Sequence, residues 1–322
     1  MIRRRFASAG LCVVALAAAC ATSKGPLPSA PQLVAASEAQ VQAGNYADAL
    51  ATLDPVLGGR CPKRLRDRRD LARARAQFGL GKPWQSFLIL EKFSDDHPLS
   101  ELRPQAVELL WSVGKTLVDS DGGFLFFWSD RRAGRAVLEH LITRHPDTRR
   151  LADALRILGD MAFDDGDYEM AQARYREIIL ERPDSDWRFY ANYRFAMSIV
   201  ASLRGPDYDL DRMQHAVTEL RSFLRTEPES PQMLAEAQRA LQQILEWQVR
   251  RHLDIATFYR TLENQDGQLH HALQATRDEF VDVPGYQEAV ALRDRLQAER
   301  AAKAADARTG AAAAAQPTGG RP

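Results

Sequence analysis

The stretch from Leu151 to Ser185 reads LADALRILGDMAFDDGDYEMAQARYREIILERPDS, and its reading decides the fold. Two apolar patterns of helical period are parted by Asp164-Asp165-Gly166-Asp167. The first carries Leu155, Leu158, Gly159 and Ala162; the second carries Tyr168, Ala171, Tyr175 and Ile178. Spacings of three and four place each set on one helix face. The Asp/Gly run is turn chemistry. Pro183 ends the second helix, because proline lacks the amide hydrogen a helix needs and its ring clashes with the preceding turn. Gly159 and Ala171 are small enough to let two antiparallel helices approach closely, with the tyrosines and aliphatics filling the seam around them.

This helix–turn–helix resembles the tetratricopeptide (TPR) unit, whose period is 34 residues. The same frame recurs along the chain. A small residue lies twelve positions before a proline at Ser86/Pro98, Gly134/Pro146, Ala171/Pro183, Ala216/Pro228 and Ala272/Pro284, and Ala49 stands likewise before Cys61-Pro62. Apolar residues follow at four and seven further on: Leu53/Val56, Leu90/Phe93, Leu138/Leu141, Tyr175/Ile178 and Leu220/Phe223. The sixth unit departs, with Thr276 and Glu279 in those places and Leu273 and Phe280 beside them. First helices are expected over about 32–43, 65–79, 101–118, 150–164, 186–203 and 231–263. Turn signals precede the second helices, among them Gly44-Asn45, Gly81-Lys82-Pro83, Gly166-Asp167, Gly205-Pro206-Asp207 and Gln265-Asp266-Gly267. The unequal proline intervals mark insertions at 119–130 and 204–210. A last helix near 286–301 would cap the array, which otherwise exposes core. The expected fold is all-α: a TPR-like helical-hairpin superhelix of about six irregular repeats with a capping C-terminal helix.

The N-terminus is a different kind of segment. Met1-Ile2-Arg3-Arg4-Arg5 is basic, and Phe6 to Ala19 is apolar and small, too short for the roughly 20 residues a bilayer span requires. This reads as a secretory signal. It ends Leu16-Ala17-Ala18-Ala19-Cys20 and so resembles a bacterial lipobox, which implies that Cys20 becomes the lipid-modified first residue, palmitate included. The pattern's preferred leucine three before the cysteine is here Ala17. Ala21 after the cysteine implies outer-membrane sorting, by resemblance to enterobacterial rules. The expected organisation is a lipoprotein signal peptide over 1–19, a tether over 20–31, N-terminal repeats over 32–184, C-terminal repeats and cap over 185–301, and a disordered Ala/Gly/Pro-rich tail over 302–322.

Charge and composition exclude several classes. Basic and acidic residues are 43 each. Without residues 1–19 the balance is 40 to 43, and the arginines are interleaved with acids, which is no footprint for nucleic acid. After processing, Cys61 is left alone, so no disulfide framework forms. The seven histidines show no ligand spacing; His140 and His145, five apart, do not share a helix face. No nucleophile elbow, phosphate-binding loop or dinucleotide glycine pattern is present. Neither a cofactor nor an enzymatic activity is expected.

From Trp187 to Pro284 the sequence becomes more specific. Tyr190 and Tyr193, the Gln214-His215-Ala216 step, the helix from Leu220 to Pro228, and a long helix with Arg250-Arg251 before Asp254-Ile255-Ala256-Thr257-Phe258-Tyr259 resemble the BamD (YfiO) family of outer-membrane assembly lipoproteins. The resemblance implies a periplasmic scaffold that helps fold and insert β-barrel proteins. Its C-terminal repeats would dock the periplasmic domains of a barrel-bearing subunit, and its N-terminal repeats would touch unfolded clients. A basic residue of the family's long helix falls on Trp247 here. The alternative is another periplasmic TPR lipoprotein adaptor, coordinating cell-wall enzymes or cell division.

Two sets of residues are candidates for partner binding. Arg250, Arg251, Asp254 and Arg260 lie on the polar side of the long helix, either a partner surface or a solvated face. Tyr190, Tyr193 and Arg194 sit on a first helix, where they would grip an extended peptide or, more simply, fill the seam between repeats. The aromatic run Gly122 to Trp128 is a third, either a lipid or partner contact or a turn folded over the third repeat.

Overall fold

The computed structural model describes residues 28–120, 130–207, 209–226 and 230–314, the side chains up to 309. Cys20, Pro228 and the run Gly122 to Trp128 lie outside the described residues. Among the described residues helix is the only regular secondary structure, with no strand. It divides after Leu102 into two compact units.

The first unit holds two helical hairpins: α1 (Ala30–Gln42) with α2 (Tyr46–Leu53), and α3 (Arg66–Gly79) with α4 (Pro83–Asp96). Its core gathers Val34, Leu53, Val56, Cys61, Leu65 and Ala72. Ser37 is fully buried, and its hydroxyl donates to the Ala49 carbonyl at 3.0 Å. Pro55 and Gly58-Gly59 cannot prolong α2, so the chain descends through three short 3-10 turns before α3 begins.

The second unit holds four more hairpins and a closing helix. These are α5 (Arg103–Asp119) with α6 (Asp130–Arg144), α7 (Leu151–Asp164) with α8 (Tyr168–Glu181), α9 (Arg188–Ser202) with α10 (Leu210–Leu224), and α11 (Pro231–Thr261) with α12 (Gln265–Ala275). The closing helix, α13 (Tyr286–Ala314), packs on α12 through Leu292 and Leu296 against Leu269 and Ala272. Within each unit, helices pack against their sequence neighbours, which is the contact pattern of a stacked repeat protein.

The frame read from the sequence is the frame of the core. Ala49, Ser86, Ala171, Ala216 and Ala272 are fully buried, as are Leu138, Leu141, Tyr175, Ile178 and Leu220. Gly159 is required because a Cβ there would stand 2.7 Å from the Tyr175 ring.

Four of the hairpins turn in one way. The residue after the first helix's cap has positive φ, and its amide donates three residues back while the next amide donates five back, the Schellman closure. The sequence carries Gly44, Gly81 and Gly166 in that left-handed place, with Asn45, Lys82 and Asp167 donating the longer bond. In the last hairpin the position is taken by Glu263, at φ 54°, and Asn264 follows it. The turn signal expected at Gln265-Asp266-Gly267 therefore sits one turn too late. Those residues open α12, with Asn264 capping the Gly267 amide at 2.9 Å.

α13 also differs from expectation. It continues past residue 301 to Ala314, into the first part of the 302–322 stretch expected to be disordered, as alanine has the highest helix propensity. Gln265, Asp266, Glu299, Arg300 and Lys303 tie the two helices together on the way. No described helix is long and apolar enough to cross a membrane.

Candidate partner-binding surface

The site is built from first helices of successive hairpins, α7, α9 and α11. At its base is Asp160 on α7. Its Oδ1 accepts from the hydroxyls of Tyr175 on α8 and Tyr190 on α9, each at 2.7 Å. Its Oδ2 accepts from Arg156 Nη1, also at 2.7 Å. Arg194 of α9 donates to the Tyr175 oxygen at 3.1 Å, and its guanidinium lies 3.8 Å from the centroid of Phe163. Trp187 adds a bond from its indole nitrogen to Asp153 at 2.7 Å, and Arg156 covers its ring at 4.3 Å. One carboxylate thus joins three helices across two repeats.

Electrostatics follow from that geometry. Burial pushes the Tyr175 hydroxyl well above the ordinary tyrosine range, and burial with the Asp160 carboxylate does the same to Tyr190. Both remain protonated donors. Burial, the largest single influence, opposes the Arg194 charge, but the hydrogen bond to Tyr175 together with the electrostatic pull of Tyr175, Tyr190 and Asp160 outweighs it, and the guanidinium is held charged. Tyr193 points elsewhere: it is buried, and its hydroxyl donates to Glu236 near the start of α11. Burial and the Glu236 carboxylate push its pKa up. The structure places Tyr190 and Arg194 together in the seam, and Tyr193 in the contact between α9 and α11.

The four residues of the long helix are arranged differently. α11 runs unbroken for 31 residues, roughly 46 Å at 1.5 Å per residue. Ser230 caps its start, with Pro231 at the first position, where a missing amide costs nothing. Ala237, Ile244, Leu245, Val249 and Ala256 bury its inner face. Arg250 and Asp254 are exposed, with no partner among the described residues, and Arg260 is exposed on another side. Arg251 is half-buried and lies 3.9 Å from Asp207. Arg250 stands about 21 Å along the axis from Glu236, so the two candidate sets are separate.

Sequence reading missed what continues the Arg250–Asp254 row. At steps of four come Phe258 and Leu262, 58% and 57% exposed. Residues four apart form a ridge on a helix. This ridge carries a cation, an anion and two large apolar side chains, all facing outward. An aromatic with no place in the buried repeat was the available signal.

Asp164 and Asp165, read from sequence as turn residues, bridge to the preceding repeat. Asp164 pairs with Arg131 at 3.1 Å, and Asp165 with Arg135. Among the described residues no group of three or more His, Cys, Asp or Glu side chains is placed to hold a metal ion.

The family model described as "YfiO: Outer membrane lipoprotein" matches residues 128–313, more than half of the chain. No curated protein matches. Among solved structures, the TPR domain of P58(IPK) is similar at 14% identity, with 84% of this chain and 66% of that chain covered. Its TM-score is 0.27, too low to bear on the fold.

Proposed function

The chain belongs to the YfiO family of outer membrane lipoproteins, and we propose that it is a lipid-anchored scaffold of the outer-membrane β-barrel assembly machinery. In this reading Cys20 carries the lipid. The exposed row Arg250–Asp254–Phe258–Leu262, with Arg251 beside it and Arg260 on the helix's other exposed side, docks periplasmic domains of the barrel-bearing subunit. Arginine and aromatic side chains supply much of the energy at interfaces, and here Arg250 and a Phe258 touched edge-on by Tyr259 are both exposed on one helix. That row is the observation that supports the reading most.

The remaining parts have physical roles. Tyr190, Tyr193 and Arg194 hold the first helices in fixed register, so a partner meets a surface that needs little ordering. The first helices of the N-terminal hairpins offer extended clients a further surface. A tether at Cys20 confines the scaffold to the membrane plane and raises its effective concentration near the machine. The scaffold performs no reaction of its own. The test is photo-crosslinking in cells from position 250 or 260. Capture of a barrel-bearing subunit is expected, and capture of a peptidoglycan synthase alone would move the protein to the cell-wall adaptors.

A further inference from the structure

His252 of α11 and His271 of α12 lie 19 residues apart in sequence, yet their Nδ1 atoms are 3.1 Å apart, with ring centroids at 5.4 Å. Neither the repeat frame nor the docking row uses them. Their geometry is fixed from outside. Tyr259 stacks on His271 with centroids at 5.6 Å and planes at 19°. Tyr259 in turn lies against Gly267, where a Cβ would fall 2.5 Å from the ring.

The surroundings of both imidazoles favour the uncharged form. Burial first, then His271, Arg277 and His270, push His252 down to about 4. Burial and His270 push His271 below the ordinary histidine range. Neutral imidazole is the form that ligates metal. One Nδ1 carries the shared proton in the resting pair. Moving it to Nε2 of the same ring frees both Nδ1 lone pairs, so no proton need leave.

The spacing suits an ion. Nitrogens bound at 2.0–2.1 Å stand about 3.3 Å apart on a tetrahedral centre and about 2.9 Å apart at the corners of a square one. The observed separation falls between these values. No carboxylate takes part in this pair, and two neutral nitrogens favour late first-row ions over calcium or magnesium. Both side chains are half-buried, which leaves water for the open positions. The other charged or titratable groups that face the pair are His270, whose ring is 5.1 Å from His271, Tyr259 and Arg277. The Arg277 charge opposes a cation and keeps affinity modest.

We propose that His252 and His271 form a two-imidazole site for a late first-row divalent cation, copper(II) or zinc(II), which clips α11 to α12 behind the docking row. The test uses the metal-free full chain at neutral pH, titrated with Cu²⁺ alone and followed by nuclear magnetic resonance. One equivalent should broaden the His252 and His271 ring signals before those of His97, His140 or His215. His252→Gln and His271→Gln should each weaken binding by roughly tenfold or more, since losing even an outer-shell partner of a ligand costs about that much, whereas His270→Gln should retain it. If a glutamine variant fails to fold, the order of broadening in the unaltered chain decides. Broadening that begins at other histidines, absence of saturable binding, or affinity undiminished in both folded ligand variants would overturn the proposal.

Discussion

Asp160 is the residue on which the central repeats depend. Two tyrosine hydroxyls and an arginine donate to it from three helices. Hydrogen bonds to a charged group contribute about 1.5–3 kcal/mol each, and orphaned partners cost more. Asp160→Ala is therefore expected to lower stability by about 2–4 kcal/mol in urea unfolding, with Tyr190→Phe costing about 1 kcal/mol. An effect below a few tenths for Asp160→Ala would remove the carboxylate from its role. Glu263 presents the opposite case. It holds the left-handed turn position that Gly44, Gly81 and Gly166 fill elsewhere, at φ 54°. Glu263→Gly should raise stability by about 0.5–1 kcal/mol, because glycine adopts that backbone without strain.

His252 makes stability depend on pH. Its folded pKa is pushed down to about 4, below the ordinary value near 6.5. Between those values the unfolded chain binds the proton and the folded chain does not. Stability is then full above about pH 6.5 and falls as pH drops towards 4, by about 1–3 kcal/mol for a half-buried ring. In metal-free buffer, His252→Gln should flatten that part of the profile; an unchanged slope would assign it to other groups.

At the level of helices, much was legible before the structure. Ala49, Ser86, Ala171, Ala216 and Ala272 are fully buried, and a small residue that must be inside leaves a signal at a fixed distance from each break. The six hairpins follow from it. The last turn did not, because Glu263 in a glycine's place carries no sequence mark. The reach of α13 was missed because its alanines suit both a solvated tail and a helix. The His252–His271 pair and the Phe258–Leu262 continuation depend on register between helices and on which face is covered, neither of which a single pattern encodes. The row on α11 gives a direct expectation. Phe258 and Leu262 are exposed, so replacing both with aspartate should change stability by no more than about 0.5 kcal/mol each. Co-purification of the partner should nevertheless fail. Retention of the partner by a well-folded double variant would move the docking surface elsewhere.

For the whole molecule, two proposed features matter together, a lipid on Cys20 and a docking row on α11. Cys20→Ala should leave the hairpins folded and shift the protein from the membrane to the soluble fraction. The association with outer membrane lipoproteins rests on the family match; the partner is the part to be measured. A photo-crosslinking amino acid at position 250 in the full-length, membrane-tethered chain, with identification of the captured protein, tests it most directly. The account predicts a crosslink to the periplasmic domains of a β-barrel-bearing subunit, lost when Phe258 and Leu262 are replaced with aspartate. A crosslink only to a cell-wall synthase, or none from either 250 or 260, would contradict it.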